Sequence, residues 1–323
     1  MKLKNSLITF IVLLVIFSCK KDDDNTVPHD PVAQAKTDDE KLVTYLQTHY
    51  YKPAAQNEHF GVVDTIMNGE TPLMDEVKTQ EVTQNDIQYK LYYYMHEKGV
   101  GKSPTRFDSV FVKYKGFTLD SVKFDERSSN TWLHFAGGYD FQNRAANSGV
   151  IQGWKSGFPN FASGTNVSQP GEPITFENTG IGVLFMPSGL AYGNTGSYSI
   201  SPNEPLLFHV ELSLVEVADY DNDSILNKEE DLDDDGEVVD EDTDKDGIPN
   251  FADTDDDNDG VLTKDEVEHK EYIIDLGEQE PDLEENEFEV NRTEQNGIIT
   301  ISTTIITDTN SDGTPDYLDS DTK

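Results

Sequence analysis

Between residues 219 and 319 one phrase, Asp-x-Asp-x-Asp or Asp-x-Asn-x-Asp followed by a bend residue, returns five times in a fixed register. Its first copy is Asp219-x-Asp221-x-Asp223-Ser224, which continues through Asn227 to Glu230 and carries serine where the others have glycine. The second is Asp231-x-Asp233-x-Asp235-Gly236. The third is Asp242-x-Asp244-x-Asp246-Gly247, with Asp253 after it, and the fourth is Asp255-x-Asp257-x-Asp259-Gly260, with Glu266. The last, Asp308-x-Asn310-x-Asp312-Gly313, ends at Asp319. Such a segment cannot form an ordinary apolar core, because like charges at this density repel and expand the chain. It suits a hard cation instead: Ca²⁺ takes six to eight oxygen ligands, and alternate carboxylates around a tight bend supply them. The competing expectation is a solvated acidic linker that holds no ion.

The charge breaks the chain in two. From residue 218 onward lie 38 of the 63 acidic residues but only 6 of the 24 basic ones, so most of the formal charge of −39 sits in residues 218–323. A surplus of this size repels a phosphate backbone, and nucleic acid is not an expected partner. Residues 219–230 are similar to an EF-hand loop, matching it at positions 1, 3, 5, 7, 9 and 12. Gly247-Ile-Pro-Asn-Phe-Ala-Asp253 and Asp312-Gly-Thr-Pro-Asp-Tyr-Leu-Asp319 resemble thrombospondin type 3 repeats. That resemblance implies few helices and a chain wound around calcium ions. The family normally carries disulfides, whereas this chain has a single cysteine and no intrachain bridge is possible. Between the fourth and fifth copies, Gly297-Ile-Ile-Thr-Ile-Ser-Thr-Thr-Ile-Ile predicts a strand or hairpin.

The other end reads as an address. A basic start is followed by an apolar run from Leu7 to Phe17, well short of the ~20 residues a membrane span needs, so residues 1–18 read as a signal peptide. The run stops at Ser18-Cys19, and Cys19 is the one cysteine in the chain. This resembles a bacterial lipoprotein signal. The resemblance implies cleavage before Cys19, a lipid on its sulfur, and a place outside the cytoplasm on a bacterial membrane, the outer membrane foremost. The plain alternative is a secretory signal with an incidental cysteine. Residues 19–37, opening Cys19-Lys-Lys-Asp-Asp-Asp, read as a solvated tether. A Lys/Asp-rich run at this point also resembles a surface-export signal of some Gram-negative lipoproteins.

From Asp38 to about His49 the spacing of Leu42, Val43 and Leu46 predicts a helix capped by Asp38 or Asp39, the start of an extension over residues 38–85. Ile87–Met95 and Ser109–Lys115 are β-rich, with Val110, Val112 and Tyr114 on one strand face. In Leu206–Val215, Phe208, Val210, Leu212 and Leu214 alternate with His209, Glu211 and Ser213, which places His209 on an outward, exposed face. Several strands and a short helical start near Trp154 predict an α+β fold, a curled antiparallel sheet around a helix.

Here the residues become specific. Val112-Lys-Tyr114-Lys-Gly116-Phe-Thr is followed by Phe124-Asp125 and by Gly149-Val150-Ile151-Gln-Gly153-Trp154. Then come Leu184-Phe-Met-Pro187-Ser-Gly-Leu-Ala191-Tyr192-Gly193, Ile200-Ser-Pro202-Asn203 and Leu207-Phe208-His-Val-Glu211. In this order and spacing, over residues 86–217, they resemble the FKBP-type peptidyl-prolyl cis-trans isomerases. The resemblance implies a cleft with Trp154 as floor and Tyr114, Phe124, Val150, Ile151 and Phe208 as walls. Tyr192 offers a hydroxyl to a substrate carbonyl, Asp125 is the charged group at the rim, and Ile200 caps the cleft. No cofactor is implied for catalysis, and the partners are proline-containing polypeptides. Taken singly, each aromatic residue is as readily explained as core. Whether Trp132 or Phe135 supplies a further wall is left open.

Three function classes compete. The first is an isomerase of extracytoplasmic proteins, lipid-anchored through Cys19, with a calcium-binding tail. The second is a non-catalytic peptide-holding or chaperone module, and the third a calcium-dependent structural or adhesive surface lipoprotein. No nucleophile elbow, His-Glu-x-x-His or phosphate-loop pattern offers another chemistry.

Overall fold

A computed structural model describes residues 29–55, 58–147, 149–169 and 171–322; the expected leader, Cys19 and the start of the tether lie outside the described residues. Among the described residues no helix is long and apolar enough to cross a membrane.

The centre is a six-stranded sheet of β1 (Lys78–Gln84), β2 (Ile87–Glu97), β3 (Ser109–Thr118), β4 (Lys123–His134), β5 (Gly180–Met186) and β6 (Leu206–Glu216). Their order across the sheet is β1-β2-β5-β6-β3-β4, and every pair is antiparallel. Asn85 and Asp86, both at positive φ, make the two-residue turn from β1 to β2, the geometry that fits strand twist. The predicted alternation holds on β3, where Val110, Val112 and Tyr114 share one buried cluster. On β6 a bulge between Leu212 and Leu214 interrupts it at Ser213.

Both faces of the sheet are covered. On one, α2 (Gln152–Gly157) packs through Trp154, with Phe158 and Phe161 beyond it, against Leu184, Met186, Phe208 and Val210. On the other, α1 (Pro31–Thr48) packs through Leu42, Tyr45 and Leu46 against Tyr92, Val183, Phe185 and Leu207. This corrects three expectations. The helix starts at Pro31, whose ring presets φ for a first helical position, so residues 31–37 are helical rather than tether, and Asp38 and Asp39 lie inside the helix rather than cap it. His209 is 4% exposed instead of outward, because Tyr51, Phe60 and Phe117 stand around its ring at 6.5, 6.2 and 5.8 Å. The extension is also partly sheet: Lys78–Gln84 is the edge strand β1.

The acidic segment has short 3-10 turns and no α-helix among its described residues. In every copy of the loop the fourth and sixth residues take positive φ: Asn222 and Ser224, Asp234 and Gly236, Lys245 and Gly247, Asn258 and Gly260, Ser311 and Gly313. Glycine at the sixth position is explained by that bend, and Ser224 adopts it at φ 81°. Between the fourth and fifth loops, β7 (Glu268–Asp275), β8 (Glu287–Gln295) and β9 (Ile298–Ile305) form an antiparallel sheet in the order β7-β9-β8. The segment is docked on the first domain. Val238, Phe251 and Ala252 pack with Phe107, Ala136 and Tyr139, and Lys155, on α2, meets Glu237 at 2.7 Å.

Candidate active site and cation loops

Helix α2 delivers Trp154 to the centre of an aromatic set. Its ring centroid lies 4.8 Å from Tyr114 and 5.0 Å from Phe208, and Phe124 lies 5.4 Å from Phe208, all edge to face. That arrangement sets ring edges against electron-rich faces. Gly116 makes it possible: a Cβ there would come within 2.7 Å of both Phe124 and Phe208. Ile200 is buried in the same cluster, and Val150, Ile151 and Tyr192 pack on it half-buried. Eight of the nine expected cleft residues therefore share one apolar cluster. The ninth, Asp125, stands at its edge and accepts a 2.8 Å hydrogen bond from the Tyr114 hydroxyl. The Glu126 N–H donates to its other oxygen. Of the two candidates for a further wall, Phe135 is fully buried in the cluster, whereas Trp132 lies half-exposed on Phe111.

Burial, then the bond to Asp125, raises the Tyr114 hydroxyl far above its ordinary value. Burial, then the Asp125 charge, raises that of Tyr192. Both stay protonated donors at any physiological pH. The indole Nε1–H of Trp154 is buried with no hydrogen-bond partner among the described residues.

One positioning residue is not visible in the sequence pattern. Asp38, fully buried in α1, accepts from the Ser188 N–H at 2.8 Å and the Ser188 hydroxyl at 2.6 Å. Ser188 opens the turn that carries Tyr192, and the Gly193 N–H closes it on the Ser188 carbonyl. On the reverse face of the sheet a cavity of about 410 Å³ lies between Phe60, Val63, Phe117, Leu207 and His209. Burial, then Lys115, pushes the His209 imidazole down to about 4.

The acidic loops fold by a common rule. The fifth residue's N–H donates to the third side chain and the seventh's N–H to the fifth carboxylate, as for Asp246 to Asp244 and Ile248 to Asp246. In four loops the second residue's N–H bonds to the ninth side chain, in the pairs Tyr220–Asn227, Thr243–Asn250, Asp256–Thr263 and Thr309–Asp316. Asn227, expected as a cation ligand, thus has its oxygen engaged by the loop's own backbone.

The loops separate by what remains unpaired. Beside Asp242 in the third loop, Asp219, Asp221, Asp223 and Glu230 in the first and Asp255, Asp257 and Glu266 in the fourth each keep a buried carboxylate oxygen with no partner among the described residues. In each loop the three aspartates bring one oxygen apiece within 4.8 Å of one another, as do Asp242, Asp244 and Asp246 in the third. In the second, Asp231 and Asp233 meet Glu241, a residue outside the repeat register, and Asp235 is not in the group. In the fifth, the Asn310 amide donates to Asp319 at 2.8 Å, and Asp308 accepts from Gly313. Asp253 accepts from the Asp255 N–H. Burial and neighbouring carboxylates push Asp221 up to about 10 and Glu266 to about 7. An oxygen-only donor set that is buried and aimed inward fits a hard divalent cation.

Residues 101–213 match the family model described as FKBP-type peptidyl-prolyl cis-trans isomerase. This segment is similar to an FKBP-type domain. Curated relatives agree. The isomerase FkpA of Escherichia coli is 33% identical over 128 residues, 40% of this chain and 38% of its own. FkpA of Aeromonas hydrophila is 29% identical over 199 residues, 58% of this chain and 63% of its own. The chain thus spans less than two thirds of the length of these relatives. Among solved structures, a peptidyl-prolyl isomerase from Pseudomonas syringae aligns at 20% identity and TM-score 0.35, covering 58% of this chain and 97% of that one. Escherichia coli FkpA aligns at 24% identity and TM-score 0.32, covering 58% and 61%. Outside this segment, residues 220–297 match a model described as BamM C-terminal.

Proposed function

We propose that the chain is a peptidyl-prolyl cis-trans isomerase acting on X-Pro bonds of extracytoplasmic polypeptides, anchored through a lipid on Cys19 and carrying a tail that binds Ca²⁺. The observation that carries the enzymatic reading is the meeting of Trp154, Tyr114, Phe124 and Phe208 in one aromatic cluster inside the segment that matches the isomerase family.

The chemistry follows from the amide. Rotating an X-Pro bond passes through a twisted state that has lost resonance, against a barrier of ~18–20 kcal/mol. No bond to a protein atom is needed. The twisted amide is less polar than the planar one, so an apolar wall of Trp154, Phe208, Val150 and Ile151 favours it. Tyr192 donates to the substrate carbonyl. Asp125 holds the Tyr114 hydroxyl and with it the wall's orientation. In the tail, the first and fourth loops would hold Ca²⁺ through Asp219, Asp221, Asp223 and Glu230 and through Asp255, Asp257, Asp259 and Glu266. The ion would neutralise carboxylates that otherwise repel.

A proline-limited refolding assay tests the activity. The chain should abolish the uncatalysed phase of tens of seconds at sub-stoichiometric amounts. An unchanged slow phase sinks the enzymatic reading. It would then favour a peptide-holding module, a role that suits Tyr198, fully exposed at the tip of the loop after Tyr192.

A further inference from the structure

In a loop of this register the expected donors stand at odd positions and at the twelfth, and Asp256 stands at the second position of the fourth loop. It is nevertheless 2% exposed, and both of its carboxylate oxygens are without a partner among the described residues. From the first loop, Asp223 and Glu230 are each 1% exposed and each keep one unpartnered oxygen. One oxygen from each of the three lies within 4.8 Å of the others. Two ligands bonded to one Ca²⁺ at its usual lengths stand no more than about 5 Å apart, so this spacing fits a shared ion. None of the ion pairs among the described residues reaches these three carboxylates. Ile225, Leu226 and Tyr317, buried to 2% or less, form an apolar cluster beside them. Three carboxylates gathered away from water without a counter-charge are unfavourable through lost hydration and mutual repulsion, and an ion between them removes both terms.

We propose that Asp223, Glu230 and Asp256 form a divalent-cation site of the calcium class, shared between the first and fourth loops. It ties together segments that the repeat pattern treats as separate ions. The donor set favours Ca²⁺ over softer metals because it is oxygen alone, and over Mg²⁺ because a dry site leaves little room for the waters Mg²⁺ retains. The proposal rests on the cation reading of the tail and adds to it a ligand outside the register. Asp223 belongs also to the group with Asp219 and Asp221, so the shared site is continuous with the first loop's own donors.

The test uses the full chain, with Ca²⁺ as probe, in equilibrium dialysis and in thermal melts with Ca²⁺ or chelator. Asp256→Asn should weaken one class of bound Ca²⁺ at least tenfold. It should also lower the melting midpoint in Ca²⁺ while raising it in chelator, since removing one charge relieves repulsion only where no ion is present. Glu230→Gln, which keeps the side-chain volume, should reproduce the crossover, and Asp265→Asn, exposed and outside the donor groups, should not. If wild type binds Ca²⁺ and Asp256→Asn binds it equally well, or melts higher in both conditions, the shared site is wrong while the loops stand. If wild type binds no Ca²⁺, the cation reading of the whole tail falls with it.

Discussion

The pair Tyr114–Asp125 sits where the aromatic cluster meets solvent, and its 2.8 Å bond is charge-assisted. Hydrogen bonds to charged groups contribute ~1.5–3 kcal/mol against about 1 for neutral ones. Asp125→Asn should therefore weaken the wall's orientation by about 1 kcal/mol, roughly a fivefold loss in kcat/KM with little change in melting temperature. Refolding kinetics against a proline-limited substrate give the number, and full activity in the variant would remove Asp125 from the site. The profile with pH should be flat from about 6 to 9, because Tyr114 and Tyr192 stay protonated there. Stability behaves differently, through His209. Its folded value is lowered to about 4 from 6.5, so the unfolded chain binds its proton first as pH falls. The stability it contributes is whole above pH 6.5 and declines as pH drops toward 4, by about 3 kcal/mol at pH 4. His209→Gln in saturating Ca²⁺ should lose less stability than wild type between pH 7 and 4. Parallel losses in the two proteins would refute the assignment.

At the scale of elements, α1 does more than cover a sheet face. Asp38 reaches from its interior to the turn that aims Tyr192, and Asp39 takes a 2.6 Å bond from the Tyr92 hydroxyl on β2. Asp38→Ala leaves two buried donors of Ser188 unpaired, a cost of about 3 kcal/mol. It should lower the melting temperature and kcat/KM together, since the Tyr192 turn loses its anchor. A melting change with unaltered kcat/KM would make Asp38 structural only. This role was hidden because an aspartate pair before an apolar spacing reads as a cap, and the residues that extend the helix to Pro31 carry no apolar stripe of their own. The clustering of the expected wall residues, by contrast, was legible. Val110, Val112 and Tyr114 announce their face by period 2, and the wall residues come in a distinctive order. Burial of His209 was not legible, because alternation tells which face a side chain takes and not what later covers that face. The same limit hid Asp256. A register marks donors within one loop and is silent about which loops meet.

At the scale of the molecule the two charge classes pack together within residues 31–323. Glu237 of the second loop holds Lys155, next to Trp154 on α2, and Phe251 and Ala252 of the third loop fill an apolar cluster with Phe107, Ala136 and Tyr139. Lys155 is almost fully buried, so removing that partner would leave a buried charge unpaired. A cation that orders the loops should then stabilise the FKBP-like domain by linkage, by about 2.7 kcal/mol when free ion is ~100 times its dissociation constant. The chain offers a clean readout. Its two tryptophans, Trp132 and Trp154, both lie in the FKBP-like domain, while every proposed cation ligand lies beyond residue 218. The unfolding midpoint followed by tryptophan fluorescence should rise with Ca²⁺ and fall with chelator, and Glu237→Gln should shrink the difference. Any turnover should change little, because the expected wall residues come from β3, β4, β6, α2 and the two residues before α2 rather than from the tail. A fluorescence midpoint that ignores Ca²⁺, while circular dichroism reports ordering of the tail, would mean that the contact transmits no stability and that the tail is an independent stalk.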